Sequence, residues 1–338
     1  MKAVVLSRHG KPDTLRATQL PDPAPNGGKV RVRVQTIGLN YAEILSRKGQ
    51  YGWAPPLPYV LGMEAYGEID AIGPGVKERR IGEKVIVVNQ SGCYAEKVVV
   101  PEMQALPAMD VYSPEENAAF AVSYLTAWIS LFEMARLRPT DRVLIQAAAG
   151  GVGTAAVQLA KHFGCSVYAA AGSDEKIERL RTLNVDHAIN YRTHDIETEL
   201  TERVGAHSVD VILALVAGEP YRRALRTLAP FGRIVIAGVA GLELHKWNPL
   251  SWWEAWRDMP RADIRRMAVG SVGVMATHIG YLLKTPARMS SIWRELTDFA
   301  LRHGIRPIVG STFTLDEITQ AHALMESRGS YGKIVIRV

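Results

Sequence analysis

A glycine-rich turn between a predicted strand and a predicted helix is the segment of the sequence best suited to chemistry. It reads LIQAAAGGVG from Leu144 to Gly153, with alanine at the first place of a three-residue spacing where the usual fingerprint has glycine. Such a turn lets backbone N–H groups and a helix N-terminus approach a dinucleotide pyrophosphate, although glycines at a tight turn also serve packing alone. The residues predicted to bind the pyrophosphate are Ala147, Gly150, Gly151, Val152 and Gly153.

The end of the next predicted strand indicates which dinucleotide is bound. An acidic residue about 20 positions past the turn would accept a hydrogen bond from a ribose 2′-hydroxyl, but Gly172 stands there. Ser173 and Lys176 follow with a hydroxyl and a cation that suit a 2′-phosphate. We therefore predict NADPH as the cofactor. Two features weaken the prediction: Asp174 could turn inward, and Ser173 with the acids after it also forms an ordinary helix cap.

The elements that must position this turn alternate between strand and helix. Repeated βα units imply a parallel sheet covered by helices on both faces. The predicted strands are Arg142–Ala148, Ser166–Ala171, His187–Tyr191, Val209–Val216, Arg233–Val239 and Gly270–Met275. The predicted helices are Val152–Phe163, Asp174–Leu183, Ile196–Val204, Tyr221–Leu228 and Met289–His303.

The first third of the chain has a different rhythm, rich in β-branched residues and punctuated by glycine and proline, which is typical of a compact β domain. A terminal β-rich piece ends in Lys333–Val338. The strand-like runs of the first third are Ala3–Leu6, Val30–Thr36, Ala65–Ile72, Lys84–Asn89 and Tyr94–Val100.

Composition narrows the class of protein. A chain of 338 residues is longer than most single cores, so two domains are expected. The net charge of +6 comes from 40 basic and 34 acidic residues that are interspersed, which argues against nucleic-acid binding. No apolar run suits a bilayer span and no signal peptide is recognised, so a cytoplasmic location without stable membrane insertion is expected. Cys93 and Cys165 are expected to be reduced thiols.

Several motifs together resemble a known family. Leu137–Gly153 resembles the corresponding stretch of quinone oxidoreductases of the zeta-crystallin kind and of polyketide-synthase enoyl reductases, which are zinc-free medium-chain dehydrogenases/reductases. Pro58–Ile69 with Ile81–Val85 resembles the signature of the family's GroES-like domain, and Leu125–Ala127 and Glu326–Val335 resemble two further landmarks. The resemblance implies an α/β protein: a GroES-like β-rich substrate domain (1–122 and 292–338) plus a Rossmann domain with a doubly wound parallel sheet (123–291).

The resemblance also implies site residues. Tyr51, Asn40 and Thr126 match positions near the nicotinamide, where Tyr51 is a candidate proton donor and the other two are candidate hydrogen-bonding groups. An alternative interpretation of Tyr51 is an aromatic packed in a loop, and the other two residue types are common in loops. Further residues that match cofactor-binding positions are Tyr191, Gly238, Val239, Arg328 and Lys333.

The zinc ligands of the family's alcohol dehydrogenases are replaced in this sequence. Their Gly-His-Glu motif reads Gly62-Met63-Glu64, and the early cysteine is absent from Gly38–Tyr41. A thioether is a poor zinc ligand, so no metal is predicted. Glu64 is expected to be structural.

Without a Lewis acid, the enzyme is expected to favour acceptors that delocalise charge themselves, so the predicted activity is hydride transfer from NADPH to a quinone. Two alternatives stay open. One is an enoyl or alkenal reductase that saturates the C=C bond of an α,β-unsaturated carbonyl or thioester. The other is an NADPH-binding regulatory or interaction protein with little catalysis.

Two features suggest contacts beyond the small-molecule substrate. The predicted strand Gly270–Met275 would lie at a sheet edge, which favours a C2 homodimer. Trp247, Trp252, Trp253 and Trp256 crowd a short segment, which either packs between domains or subunits or forms a substrate lid, a partner surface or a membrane contact.

Overall fold

The computed structural model describes residues 1–240 and 249–338, and for residues 239–240, 249–252 and 266 it describes the backbone only. Contacts divide the chain into a first unit, Met1–Leu125 with Ile279–Val338, and a second unit, Thr126–His278. The sequence placed the return to the first domain at residue 292. In the structure that return comes at Ile279, so the whole of helix Pro286–Arg302 belongs to the first unit.

Both ends of the chain are rich in β-strands, and in the middle of the chain strands alternate with helices. The strands are β1 (Lys2–Leu6), β2 (Ala17–Gln19), β3 (Lys29–Gly38), β4 (Tyr59–Val60), β5 (Glu64–Ile72), β6 (Lys84–Val88), β7 (Lys97–Pro101), β8 (Ala105–Pro107), β9 (Arg142–Ile145), β10 (Ser166–Ala171), β11 (His187–Asn190), β12 (Val209–Val216), β13 (Leu228–Ala240), β14 (Gly273–Ala276), β15 (Val309–Thr314) and β16 (Lys333–Arg337). The helices are α1 (Tyr41–Lys48), α2 (Pro114–Trp128), α3 (Gly151–Phe163), α4 (Asp174–Arg181), α5 (Ile196–Val204), α6 (Glu219–Arg226), α7 (Pro249–Asp258), α8 (Ile264–Gly270), α9 (Pro286–Arg302) and α10 (Ile318–Glu326).

The second unit holds a parallel sheet, whose strands run β11-β10-β9-β12-β13-β14 among the residues described. The order reverses direction between β9 and β12, and a ligand crevice forms at such a switch point beyond the carboxyl ends of the strands. Strand β9 is buried on both faces, as expected of a central parallel strand. The predicted Rossmann architecture is confirmed.

The first unit is built on a mainly antiparallel sheet in the order β15-β16-β3-β5-β6-β8, with β7 also paired to β3. Strand β16 lies between β15 and β3, parallel to the former and antiparallel to the latter. Valine and isoleucine side chains on alternate positions of β3 fill the core beneath the sheet. The predicted GroES-like β-rich domain is confirmed.

Some predicted elements are displaced. The predicted strand Gly270–Met275 is wrong in its first half, because α8 continues to Gly270 and Ser271 takes a positive φ of 51°, so β14 starts only at Gly273. The predicted strand Tyr94–Val100 likewise starts late, at Lys97. Among the described residues, no helix combines the length and the apolar character needed to cross a bilayer.

Candidate active site

The glycine-rich turn joins β9 to α3 by a close approach of helix to strand. A Cβ on Gly153 would lie 2.3 Å from the carbonyl oxygen of Ala147 and 2.5 Å from the Cα of Ala148, closer than real Cβ atoms come. Gly150 is less constrained, with its nearest such contact at 3.5 Å. Ala147 itself takes a positive φ of 45°, the conformation that glycine adopts more easily. Gly153 is therefore required by packing.

The N-terminus of α3 has the features of an anion site. Gly150 is its N-cap and, having no side chain, leaves the first N–H groups of the helix without a side-chain cap from that position. Those groups belong to Gly151, Val152 and Gly153, and the helix dipole adds partial positive charge beside them. These unsatisfied donors fit a pyrophosphate, which is the group that the sequence predicts at this turn.

The end of β10 carries a second candidate subsite, formed around Gly172. A Cβ on Gly172 would lie 2.7 Å from the Tyr191 hydroxyl oxygen and 3.3 Å from Nε of Arg192. The bare glycine thus lets the Tyr191 phenol and the Arg192 guanidinium lie close to the backbone at the end of β10. Arg192, an exposed residue directly after the predicted Tyr191, is a candidate that the sequence analysis missed. Only its position two residues past β11, next to a cofactor position, signalled it.

Lys176 shares this subsite with Arg192. Burial lowers the pKa of Lys176, and the positive charge of Arg192 lowers it further, so the two cations lie close enough to repel each other. Two like charges held near each other in one unit are relieved by a bound anion. Lys176 and Arg192 therefore suit a doubly charged phosphate.

Ser173 and Asp174 take the roles of an ordinary helix start. The Ser173 hydroxyl caps α4 by accepting from the backbone N–H of Lys176 at 3.4 Å. The Asp174 carboxylate accepts from the Asn190 side-chain amide at 2.7 Å. The acid that weakened the NADPH prediction is thus engaged by Asn190.

Three other predicted residues of the second unit are placed on its elements. Gly238 lies in β13, where a Cβ would come within 3.2 Å of the Leu215 carbonyl oxygen. Val239 follows in the same strand, but its side chain lies outside the described part of the structure. Thr126 is buried on α2, and its carbonyl accepts from the Ser130 hydroxyl at 2.7 Å.

The first unit buries a polar cluster that joins its opposite ends. The Lys333 ammonium donates to the Glu64 carboxylate, to Asn40 Oδ1 at 2.7 Å and to Ser123 Oγ at 3.3 Å. Asn40 Nδ2 donates to Glu64 at 3.0 Å, and Glu64 accepts a further bond from the Val122 backbone N–H at 2.8 Å. The ammonium has a partner for each of its three protons.

This cluster bears on two predicted residues. Lys333 and Asn40, predicted at the nucleotide and at the nicotinamide, have side chains that are bonded inside the first unit. Their expected contacts with a cofactor stay predictions. Arg328 lies on the exposed surface just after α10 with a positive φ of 58°, and its expected contact with a cofactor stays a prediction as well.

A second buried group, which the sequence analysis did not single out, centres on Glu43. Its carboxylate accepts from the backbone N–H groups of Asn40 and Met63 and from the Tyr94 hydroxyl, each at 2.7 Å. Burial raises the pKa of Glu43 to about 7, although these bonds favour the ionised form. Tyr94 also contacts His322 Nε2 at 3.1 Å. Glu43 thus ties together the two loops that carry Asn40 and Met63.

Tyr51 follows α1 in a tight turn, in which the Ala54 N–H donates to the Tyr51 carbonyl at 3.0 Å. Burial raises the pKa of its phenol, while a hydrogen bond with the Gln90 side chain lowers it. A tyrosine phenol is protonated at neutral pH at its ordinary pKa, so Tyr51 holds a proton that it can donate, although the raised pKa makes it a weaker acid.

The positions that correspond to zinc ligands carry side chains that are poorly suited to bind a metal. Met63 is buried in the motif, and the Asn40 amide is bonded to Lys333 and Glu64. Across residues 1–240 and 249–338, no group of three or more His, Cys, Asp or Glu side chains could hold a metal ion.

Comparison with known proteins identifies both units. Residues 26–110 match the family model of the alcohol dehydrogenase GroES-like domain, and residues 151–276 match that of zinc-binding dehydrogenase. The two units and the dinucleotide-type turn define an oxidoreductase of the two-domain dehydrogenase class.

Individual relatives place the chain more closely. The human synaptic vesicle membrane protein VAT-1 homolog is 31% identical over 339 residues, covering 99% of this chain and 86% of the relative. The quinone oxidoreductase from Thermus thermophilus, whose structures include a complex with NADPH, is 32% identical with a TM-score of 0.81 over 100% of both chains. The CurK enoyl reductase is 26% identical with a TM-score of 0.86, over 99% of this chain and 98% of that one. The chain belongs to the medium-chain dehydrogenase/reductase family, as a member of the quinone oxidoreductase type.

Proposed function

We propose that the protein is an NADPH-dependent oxidoreductase that transfers hydride to a quinone without a metal. The observation that carries the cofactor choice is that Gly172 stands where a carboxylate would be expected for NADH, with the Arg192 guanidinium 3.3 Å from its Cβ position. Lys176, whose pKa is lowered by burial and by the charge of Arg192, is the second cation proposed for this subsite. The likeness to a quinone oxidoreductase solved with NADPH supports both parts of the proposal.

When bound, NADPH supplies the hydride. The N–H groups of Gly151, Val152 and Gly153 bind its pyrophosphate, and Lys176 with Arg192 neutralises its 2′-phosphate. Discrimination against NADH follows from the same two cations, which repel each other when no phosphate lies between them.

The acceptor must itself delocalise the negative charge that develops on it when it receives the hydride. Met63 and Asn40 stand where the zinc enzymes have ligands, so the chain offers neither a thiolate nor an imidazole there to a Lewis acid. A quinone takes hydride and one proton to become a hydroquinone, and the delocalised anion formed on the way is stable enough to need no metal. Tyr51, with its raised pKa, is the side chain proposed to deliver the proton.

Enoyl reduction is the second candidate, favoured by the likeness to an enoyl reductase and by the same phenol. Hydride addition to the β-carbon of an enone or enoyl thioester leaves an enolate whose α-carbon needs a proton, and Tyr51 is suited to supply it. The two candidates differ in product, since one gives a hydroquinone and the other a saturated carbonyl compound.

We propose a homodimer through β14. This strand ends the parallel sheet of the described residues, and its hydrogen-bonding partner is β13 on one side. An open edge pairs readily with the same edge of a second copy about a twofold axis. A strictly monomeric sedimentation profile would overturn the dimer. The cytoplasmic location stays a prediction.

An NADPH-oxidation screen over quinones, enones and enoyl thioesters, with product identification, tests the function. Hydroquinone formation is the expected result, and a saturated C=C bond with inert quinones would establish the second candidate. Tight NADPH binding with no oxidation on any acceptor would instead establish a regulatory or interaction protein.

A further inference from the structure

Beside Tyr51 the first unit presents an aromatic pair with a cation over it. The rings of Trp53 and Tyr281 meet edge to face with centroids 4.8 Å apart. The Lys284 ammonium lies 4.9 Å from the Trp53 centroid and 5.7 Å from that of Tyr281. We name Trp53, Tyr281 and Lys284 the aromatic–lysine cluster.

Two elements bring the cluster to the candidate proton donor. Trp53 belongs to the tight turn that Tyr51 begins and Ala54 closes, so phenol and indole are two residues apart in one turn. Tyr281 and Lys284 come from the 3-10 helix Ile279–Lys284, in which the two side chains are three residues apart and eclipse each other. Trp53, one member of the cluster, therefore lies on the same turn as Tyr51, the proposed proton donor.

Charge in the cluster is unbalanced. Over the described ranges of the chain, the Lys284 ammonium has no carboxylate within ion-pair distance; its contacts there are the two ring faces. Ring quadrupoles attract the ammonium and hold it in place without neutralising it. Tyr281 is 61% exposed, so the cluster is open to a ligand.

We propose that this cluster is an acceptor subsite that selects substrates with a planar conjugated body and a negatively charged substituent. Resting on the proposed function, the assignment adds the substrate class: the planar body lies against the aromatic edges of Trp53 and Tyr281, and the anionic group pairs with Lys284. Carboxylate, sulfonate and phosphate share this chemistry, since each offers charged oxygens to one ammonium.

The test compares an anionic and a neutral acceptor of the same ring system. Steady-state kcat/KM is measured for 1,4-naphthoquinone-2-sulfonate and for 1,4-naphthoquinone, and the ratio of the two is followed across variants so that differences in acceptor reactivity cancel. Lys284→Met should lower this ratio by roughly three- to fivefold, the worth of a partly exposed ion pair. Lys284→Arg should keep it.

Two controls separate the subsite from general effects. Lys11→Met removes an exposed lysine elsewhere in the first unit and should leave the ratio unchanged. In the wild type, raising ionic strength from 0.01 to 1 M should reduce the preference for the sulfonate, because the Debye length shrinks from about 30 to about 3 Å. A ratio that is the same in Lys284→Met as in the wild type overturns the proposal.

A failure of the proposed function is recognised separately. If neither naphthoquinone is reduced, the quinone-reductase assignment fails, and the subsite is judged by calorimetric binding of naphthalene-2-sulfonate against naphthalene-2-sulfonamide. Tighter binding of the sulfonate that is lost in Lys284→Met sustains an anion subsite. If the wild type and Lys284→Met bind the sulfonate equally tightly, the proposed anion subsite is refuted.

Discussion

Lys333 and Glu64 form an ion pair in which the side chains are 4% and 0% exposed, and 269 residues of sequence separate them. The pair connects β16, the last strand, to the start of β5, and Asn40 bridges the two charges. A buried ion pair adds little net stability compared with apolar residues of similar size, but removing one partner is strongly destabilising because the other charge stays buried without a counter-ion.

Lys333→Met should lower the free energy of unfolding by about 3–5 kcal/mol, because it leaves the Glu64 carboxylate buried without its counter-ion. Chemical denaturation monitored by fluorescence measures the loss. Arg181→Met breaks the exposed pair with Glu178 and should cost about 0–1 kcal/mol. Adding Glu64→Gln to Lys333→Met should recover much of the loss, and a further drop in stability would contradict the explanation.

Gly153→Ala should abolish tight NADPH binding or unfold the second unit, because its Cβ would clash with the backbone of Ala147 and Ala148. Gly270→Ala is the matched control in the second unit, since its Cβ would meet nothing closer than 3.7 Å. Fluorescence titration with NADPH and thermal unfolding of both variants make the comparison. Equal effects at the two positions would show that crowding at Gly153 is not the cause.

Lys176→Ala and Arg192→Ala should each raise the Kd for NADPH by about tenfold, a loss typical of one charge-assisted bond of about 1.4 kcal/mol. The Kd for NADH should stay within about twofold in each variant, since NADH lacks the 2′-phosphate. Arg179→Ala, on α4 but in an ion pair with Glu175, is the control that should change neither constant. A parallel weakening of NADH and NADPH would place the two cations elsewhere on the nucleotide.

Tyr51→Phe should lower kcat by about 10²-fold on enones if the phenol is the general acid, with a smaller loss on quinones whose oxygen is protonated readily by water. Tyr59→Phe alters another partly buried phenol of the first unit and should leave kcat near the wild-type value. Unchanged turnover of Tyr51→Phe on every accepted substrate would show that Tyr51 is a packing residue.

Glu43 should give stability a defined pH dependence. Burial raises its pKa from 4.5 to about 7, so between these values the folded protein keeps a proton that the unfolded chain has released. The stabilising contribution is complete below pH 4.5 and declines by about 3 kcal/mol as the pH rises to about 7.

The measurement for Glu43 is the free energy of unfolding of wild type and Glu43→Gln between pH 4 and 8. Relative to Glu43→Gln, the wild type should lose about 3 kcal/mol of its free energy of unfolding as the pH rises across this range. A difference that does not vary with pH would show that Glu43 titrates at its ordinary value.

Local pattern was enough to predict the second unit and its turn. The spacing of Ala147, Gly150 and Gly153 and the alternation of strands and helices are properties of neighbouring residues, and the structure places β9, α3 and β10 close to the expected positions. The absence of an acidic residue at Gly172 could also be predicted from the sequence, because that position lies at a fixed distance of about 20 residues after the glycine-rich turn.

Contacts between residues far apart in the sequence could not be predicted from local pattern. Lys333 meets Asn40 across 293 residues only because β16 inserts beside β3, and nothing local to Lys333 reveals that its ammonium faces inward. Arg192 was missed for a related reason, since a guanidinium after a strand is usually solvated. Its proximity to Lys176 depends on how β10 and β11 pair.

The position of β16 between β15 and β3 also orders events during synthesis. When the first 125 residues have been synthesised, strand β16 of their main sheet has not yet been made. The hydrophobic side chains of β3 and its neighbours therefore stay partly exposed while residues 126–278 emerge, and that second unit can already fold. We expect the nascent first unit to depend on chaperones until residues 333–337 leave the exit tunnel, and a stop codon just before Lys333 to yield a folded nucleotide unit attached to an aggregation-prone partner.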